Sequence, residues 1–203
     1  MLTIYGSPQS SAGRCFWCLE EAGVEYSTKS IDFRAGEHKS EAFLKVNPNG
    51  KVPALTDGDF TIWESLAISN YIAEAYKPTL LGDNVQERGL VSQWSIWSVA
   101  DLQHPLIQAF IQMVFVPEPK RDQSIIDKAF EKLPPLLNTL ERSLEGLSFL
   151  VAERFTLADL NVSFVVGICD DVKFDLSEYK NINAWRERIE AREGTHKYRA
   201  LCK

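Results

Sequence analysis

Residues 46–55 read VNPNGKVPAL, and this stretch predicts more about the fold than any other part of the chain. Because Pro53 cannot donate a hydrogen bond within a sheet, we expect it at the first residue of a strand or on a sheet edge. If the Val52–Pro53 bond is cis, the backbone N–H and C=O of Val52 face outward. Such a pair of backbone groups can bind an extended peptide as though it were another strand.

A predicted helix start follows at Glu64 and Ser65, eleven residues after Pro53. The first-turn N–H groups and the Ser65 hydroxyl can bind a carboxylate, while Glu64 can bind an ammonium group. Together with Val52, these residues predict a site for a small zwitterionic peptide.

Several further motifs, taken in order, resemble those of the glutathione S-transferase family. They extend over nearly the whole chain, and the serine-rich first loop is most similar to the phi-type, theta-type and bacterial serine-type branches. The motifs are YGSPQSSAGR at residues 5–14, GEHK at 36–39, NPNGKVPAL at 47–55, ES at 64–65 and FTLAD at 155–159. The resemblance implies glutathione transfer to an electrophile.

The hydrophobic pattern predicts an α/β domain followed by an all-α domain. The first domain has the order βαβ-ββα, which is the thioredoxin-like arrangement. We predict a glutathione-binding domain over residues 1–77, a linker over 78–86 and an all-helical domain over 87–203 that contributes the electrophile pocket. The helices predicted in the second domain lie at residues 87–116, 120–144, 156–169 and 182–191.

Two serines of the first loop are the candidate catalytic residues. A glutathione thiol has a pKa near 8.5, like a free cysteine, so the protein must favour its thiolate near neutral pH. The phi-type pattern selects Ser10, and a related bacterial pattern selects Ser11. A serine before a helix can also simply cap N–H groups. Tyr5 is a further candidate hydroxyl, but the serine-bearing loop favours its interpretation as a half-buried strand aromatic. Arg14 either adds positive potential near the thiolate or forms an ion pair.

The resemblance also implies which residues bind glutathione. Basic residues would bind the glycine carboxylate of glutathione and the groups around it, although these residues can also be ordinary solvated side chains. Val52 would contact the cysteinyl backbone, with Pro53 shaping the site, and Glu64 and Ser65 would contact the γ-glutamyl end. The binding residues predicted in this way are His38, Lys39, Lys51, Val52, Pro53, Glu64 and Ser65.

Two local patterns have a structural interpretation. Cys15 and Cys18 form a C-x-x-C pair, which beside a βαβ unit is typical of redox proteins. The pair lies within a predicted helix among large apolar residues, so we predict buried, reduced cysteines. Thr156 and Asp159 have the spacing of a helix capping box, which serves folding.

Composition and charge limit the remaining possibilities. The net charge of −6 argues against nucleic acid or anionic membranes as partners. No apolar run approaches the roughly 20 residues that span a bilayer. The first residues lack the basic region of a secretory signal, and no metal-ligand spacing is present, so we expect a cytoplasmic protein without a metal. The resemblance implies a homodimer that acts in detoxification on small apolar electrophiles.

Two alternative functions share this fold. A glutathione-dependent peroxidase or thiol–disulfide oxidoreductase would use the same glutathione site. A non-catalytic binding or regulatory module would keep the fold and lose the thiolate stabiliser.

Overall fold

In the computed structural model, which describes residues 1–203, the chain divides into two units. The first comprises Met1–Leu81 together with Ala191–Lys203, and the second comprises Gly82–Glu190. None of the helices is both long and apolar enough to span a membrane.

A four-stranded mixed sheet forms the centre of the first unit. Its strands lie in the order β2-β1-β3-β4. Strand β1 pairs in parallel with β2 and antiparallel with β3, which forms a hairpin with β4. The turn of that hairpin contains Gly58 at a φ of 58°, a conformation that favours glycine. The strands are β1 (Leu2–Tyr5), β2 (Tyr26–Lys29), β3 (Ala54–Asp57) and β4 (Phe60–Trp63).

Three helices accompany this sheet between its strands and after it: α1 (Gly13–Ala22), α2 (Glu41–Val46) and α3 (Ser65–Tyr76). The predicted βαβ-ββα order is confirmed, while the short helix α2 was not predicted. Apolar side chains of α1, of the central strands and of α3 are buried together in the core of this unit. The large buried side chains of this core are Ile4, Phe16, Trp17, Leu19, Leu55, Ile68 and Ile72.

The second unit is helical throughout, as predicted. Its first helical stretch contains two short π-helical segments, Ser98–Leu102 and Ile111–Phe115, where the hydrogen bonds widen by one residue. The predicted helices are present with ends shifted by a few residues. The α-helices are α4 (Val85–Trp97), α5 (Gln103–Phe110), α6 (Gln123–Ser143), α7 (Leu157–Val166), α8 (Ile168–Asp171) and α9 (Lys180–Glu190).

The predicted capping box begins α7. The Thr156 side chain accepts a hydrogen bond from Ala158 N, and the Asp159 carboxylate accepts one from Thr156 N at 2.9 Å. Asp159 is fully buried, and its Oδ1 also accepts hydrogen bonds from Leu150 N and Trp185 Nε1, each at 2.9 Å. The box therefore joins three segments of the second unit as well as beginning a helix.

A tenth helix, α10 (Glu193–Leu201), belongs to the first unit. The Arg192 guanidinium makes two hydrogen bonds with the Glu21 carboxylate, at 3.1 and 2.7 Å. The Tyr198 ring stacks on Trp17 with 5.3 Å between centroids. The predicted helical domain extends over residues 87–203, whereas residues 191–203 belong to the first unit and pack on α1. A pairing between such distant segments leaves no local signal in the sequence.

Candidate functional site

The turn before Pro53 is built by one buried side chain. Asn47 Nδ2 donates a hydrogen bond to Lys51 O at 2.6 Å, and Asn47 Oδ1 accepts one from Asn49 N at 3.0 Å. Asn47 was not among the predicted site residues, although an Asn before Pro is a known turn signal. By holding the backbone at Lys51, Asn47 positions the residue that precedes Val52.

The Val52–Pro53 peptide bond is cis, which was the condition for the predicted peptide-binding edge. The carbonyl oxygen of Val52 accepts a hydrogen bond from the Ser11 hydroxyl at 3.0 Å. The close approach of the two segments needs Gly6, because a Cβ there would lie 2.8 Å from Ala12 Cβ and 3.3 Å from Val52 Cβ. The structure thus brings the serine loop and the Val52–Pro53 segment together.

Ser10 and Ser11 have different surroundings. The Ser10 hydroxyl donates to Ser7 O at 2.7 Å and accepts from Ala12 N at 3.1 Å. Ser11 is exposed, and its hydroxyl donates to Val52 O. Each hydroxyl proton now points at a backbone carbonyl, so either serine can stabilise a thiolate by turning that proton toward the sulfur. Ser10 and Ser11 therefore both remain candidates for the residue that stabilises the thiolate.

Two features make the start of α1 electropositive. The residue before the helix, Ala12, offers no side-chain cap, so the first-turn N–H groups add their dipole there. Arg14 is buried, and burial lowers the pKa of its guanidinium to about 10. At that pKa the side chain keeps its positive charge at neutral pH. Both features place positive charge in the first turn of α1, which follows the serine loop.

The segment with His38 and Lys39 approaches the turn before Pro53. Residues Glu37–Lys39 form a 3₁₀-helix, and the His38 ring stacks on Phe33 at 4.8 Å between centroids. His38 O lies so close to Gly50 that a Cβ there would be 2.9 Å away, and Gly50 has a φ of 61°. Lys39 and Lys51 are both exposed. The predicted carboxylate-binding residues are therefore on adjoining segments.

The start of α3 combines an unusual backbone conformation with uncapped N–H groups. Glu64 has a φ of 73° although it is not glycine, and its side chain makes no capping hydrogen bond. Such a conformation costs of order 1–3 kcal/mol and is most often found at functional sites. Pro53 and Glu64 flank the paired residues Ala54 and Trp63 of the β3–β4 hairpin. The hairpin thus brings the α3 start close to the Val52–Pro53 segment.

Tyr5 packs as a strand aromatic. Its ring lies 5.9 Å from that of Phe43, and Lys29 Nζ lies 5.6 Å from its centroid. These contacts agree with the interpretation of Tyr5 as a half-buried residue of β1.

The C-x-x-C pair lies inside the first unit. Cys15 and Cys18 are fully buried, and their sulfur atoms contact the carbonyl oxygens of Ser65 and Ser69, each at 3.5 Å. Burial raises the pKa of Cys15 to about 12 and that of Cys18 well above its ordinary value. Both are free thiols, as is buried Cys169. The predicted buried, reduced state is what the structure contains.

We therefore expect one fast-reacting thiol among the four cysteines. Cys202 is the one that is not buried, whereas the other three lack both solvent access and thiolate character. Titration of the native protein with a chromogenic disulfide at pH 8 should release one equivalent rapidly, and Cys202→Ser should remove that phase. Rapid modification of Cys15 or Cys18 in the Cys202→Ser variant would contradict the burial argument.

The second unit presents an exposed apolar surface at its second π-helical segment. Ile111, Val114 and Phe115 are exposed, and the Phe115 ring packs edge-on against Phe110 at 5.6 Å. Arg121 holds the end of this segment by donating to Met113 O and Val116 O. An apolar patch of this kind on a helical unit is typical of an interaction or ligand surface.

No group of three or more His, Cys, Asp or Glu side chains is arranged to hold a metal ion.

Comparison with known proteins agrees with these observations over the whole chain. Residues 1–74 match the family described as "Glutathione S-transferase, N-terminal domain", and residues 103–193 match its C-terminal domain. Glutathione S-transferase F10 of Arabidopsis thaliana is 34% identical over 201 residues, which cover 95% of this chain and 93% of the relative. Probable glutathione S-transferase GSTF2 of Oryza sativa subsp. japonica is 35% identical, over 100% of this chain and 97% of its own.

Solved structures are similar over the same length. A glutathione S-transferase-I bound with lactoylglutathione superposes with a TM-score of 0.91 at 33% identity, covering 98% of this chain and 99% of that one. A theta class glutathione S-transferase from Xanthomonas axonopodis pv. citri, with glutathione bound, has a TM-score of 0.89 at 30% identity. It covers 97% of this chain and 95% of its own.

Proposed function

The chain belongs to the glutathione S-transferase family and is a glutathione transferase; from this premise we propose how its first unit binds glutathione and activates the thiol. The observation that carries the proposal is the 3.0 Å hydrogen bond from the Ser11 hydroxyl to Val52 O. It joins the serine loop to the backbone edge that would bind the cysteinyl residue. A thiol held on that edge would lie beside Ser11, in the loop that also carries Ser10.

Glutathione would lie along three adjoining segments. His38, Lys39 and Lys51 would bind the glycine carboxylate, which suits mobile positive charges. The backbone of Val52 would pair with the cysteinyl residue, with Pro53 shaping the edge. Support comes from the contact between the His38 segment and Gly50, which places these groups side by side.

The γ-glutamyl end would be bound at the start of α3. Its carboxylate would accept hydrogen bonds from Ser65 and the uncapped N–H groups, and its ammonium group would pair with Glu64. The left-handed φ of Glu64 supports this assignment, because energetically costly backbone conformations cluster at functional sites.

In the reaction, a serine hydroxyl would donate a hydrogen bond to the sulfur and so favour the thiolate over the thiol. We assign this role first to Ser10, whose oxygen accepts from Ala12 N and whose proton, now donated to Ser7 O at 2.7 Å, would turn to the sulfur when glutathione binds. The thiolate would then attack an electrophilic carbon, forming a C–S bond while the carbon's bond to a leaving group breaks and the leaving group departs with that electron pair. In an activated alkene, the π electrons would instead move toward the electron-withdrawing group and take up a proton from solvent. The second unit would supply the apolar surface for the electrophile, with Phe110 and Phe115 as candidates.

The finer physiological assignment follows the family resemblance. We propose a cytoplasmic homodimer that serves in detoxification of small apolar electrophiles. Sedimentation equilibrium at micromolar concentration tests the dimer, and a purely monomeric species would contradict it.

The function is tested by titrating bound glutathione. Thiolate absorbance of the complex, followed against pH, should show a thiol pKa at least one unit below the free value near 8.5. Catalysed addition of glutathione to an aromatic electrophile should follow the same titration. Binding without any shift would instead favour the non-catalytic module, and turnover of hydroperoxides alone would favour the peroxidase alternative.

A further inference from the structure

Ser10 is the last residue of a β-turn that begins at Ser7. Ser10 N donates to Ser7 O at 3.0 Å, and the Ser10 hydroxyl donates to the same oxygen at 2.7 Å. Pro8 occupies the second position of the turn, where its restricted φ is favourable. The position of the Ser10 side chain therefore depends on the conformation of this turn.

The central peptide of a β-turn is not held by the hydrogen bond that closes the turn. Its orientation distinguishes type I from type II turns, and a change of orientation alters the backbone at both central residues. In this turn the central carbonyl is that of Pro8. The Tyr198 hydroxyl donates a hydrogen bond to it at 3.2 Å. The Cys202 thiol contacts the same carbonyl oxygen more distantly, at 4.0 Å. Two residues near the C-terminus thus hold the peptide plane that the turn itself leaves free, and Tyr198 makes the shorter contact.

Tyr198 is firmly placed for this contact. The residue is 4% exposed, and its ring is nearly parallel to that of Trp17, with 5° between the planes. The Arg199 guanidinium lies 5.7 Å from the centroids of both rings. Burial raises the pKa of Tyr198, so the hydroxyl keeps the proton that it donates.

The helix that carries Tyr198 is itself fixed on α1. The ion pair between Arg192 and Glu21 holds its start, and the Glu21 side chain is 4% exposed. Gly194 allows this close packing, because a Cβ there would lie 2.5 Å from Glu21 Cδ. The position of Tyr198 is therefore set by the packing of its own ring on Trp17 and by contacts at the start of α10.

We propose that Tyr198 is a positioning residue for Ser10: by holding the Pro8 carbonyl, it fixes the turn that aims the catalytic hydroxyl at the glutathione sulfur. This inference rests on the proposed function of Ser10. It makes activation of the thiol depend on the C-terminal helix, which lies more than 180 residues away from Ser10 in the chain.

The test is the variant Tyr198→Phe, which removes the hydroxyl and keeps the ring on Trp17. The pKa of bound glutathione should rise by about half a unit, and kcat/KM at a pH below that pKa should fall about threefold, as expected for one neutral hydrogen bond acting indirectly. The KM for glutathione should change less than about twofold, since Tyr198 is not placed at the ligand. Tyr76→Phe is the matched control, because it removes an exposed hydroxyl that donates to Asp57 at 3.0 Å in the same unit.

Comparison with Ser10→Ala separates the positioning role of Tyr198 from the catalytic role of Ser10. If Ser10→Ala abolishes the thiol shift while Tyr198→Phe leaves it unchanged, this inference is overturned and the role of Ser10 stands. If Ser10→Ala leaves the shift intact, both are overturned. The double variant should match Ser10→Ala alone, because Tyr198 acts through Ser10. Losses that multiply, or a lower Tm with an unchanged thiol pKa, would assign Tyr198 a merely structural role.

Discussion

Replacing Ser10 by alanine should lower kcat/KM for glutathione conjugation at pH 6.5 by about 10- to 100-fold, and should return the pKa of the bound thiol toward 8.5. A hydrogen bond to a charged group contributes about 1.5–3 kcal/mol, and a neutral thiol gains much less from it. The loss should therefore appear mainly in the thiolate population. Stopped-flow absorbance of the bound thiolate and steady-state kinetics over pH 5.5–9 measure both effects.

Ser10 also caps Ala12 N, so its removal has a structural component of about 1 kcal/mol. Ser10→Thr keeps the hydroxyl and should restore most of the thiol shift, which separates donation to sulfur from capping. Ser27→Ala removes an exposed hydroxyl from β2 and serves as the control.

Ser11→Ala decides between the two candidate serines. It removes the hydrogen bond to Val52 O and, in our assignment, should weaken glutathione binding while retaining most of the thiol shift. If only Ser11→Ala restores the free thiol pKa, the mechanism stands and the catalytic hydroxyl is that of Ser11.

Asp159→Asn should destabilise the protein by about 3 kcal/mol at pH 7, because an amide places two hydrogens among donors that need acceptors. The carboxylate accepts four hydrogen bonds in a fully buried position, from Leu150 N, Trp185 Nε1 and both the N–H and hydroxyl of Thr156. Urea unfolding followed by Trp fluorescence measures the loss. Asp101→Asn, at an exposed acid of the same unit, should have little effect.

The difference in unfolding free energy between wild type and Asp159→Asn should change with pH in a definite direction. Burial raises the pKa of Asp159, while the four hydrogen-bond donors lower it. The effect of burial is the larger, and the pKa rises to about 6. Because the folded pKa lies above the unfolded one, the folded state takes up the proton first, and stability from this group increases as pH falls through 6. The advantage of wild type over Asp159→Asn should therefore grow by about 1 kcal/mol between pH 7 and pH 5. A difference that shrinks in that interval would show that the donors outweigh burial.

Features that depend on neighbouring residues could be predicted from the sequence. The hairpin around Gly58 follows from turn chemistry, and the capping box follows from the spacing of Thr156 and Asp159. Burial of Cys15 and Cys18 follows from their apolar neighbours within a helix. Each of these patterns is short because the forces that produce it, capping, turn geometry and burial of one helix face, act over a few residues.

The candidate site was predictable as a set of segments, whereas its internal arrangement was not. The motifs indicated Ser10, Ser11, Val52, Pro53, Glu64 and Ser65, but the hydrogen bond between Ser11 and Val52 and the supporting role of Asn47 emerged only from the fold. Helix α2 was missed because its six residues are too few for a clear helical period.

By itself, the sequence determined the order of the strands and of the longer helices, the hairpin turn and the capping box, and the segments that can bind a small peptide. Only the tertiary structure decided that residues 191–203 pack on α1, that Trp185 donates to Asp159, and that Tyr198 holds the loop of Ser10. The physical reason is the range of the interactions. A local hydrogen bond is encoded by residues a few positions apart, while a contact between distant segments depends on the complementarity of two surfaces that exist only after the chain has folded.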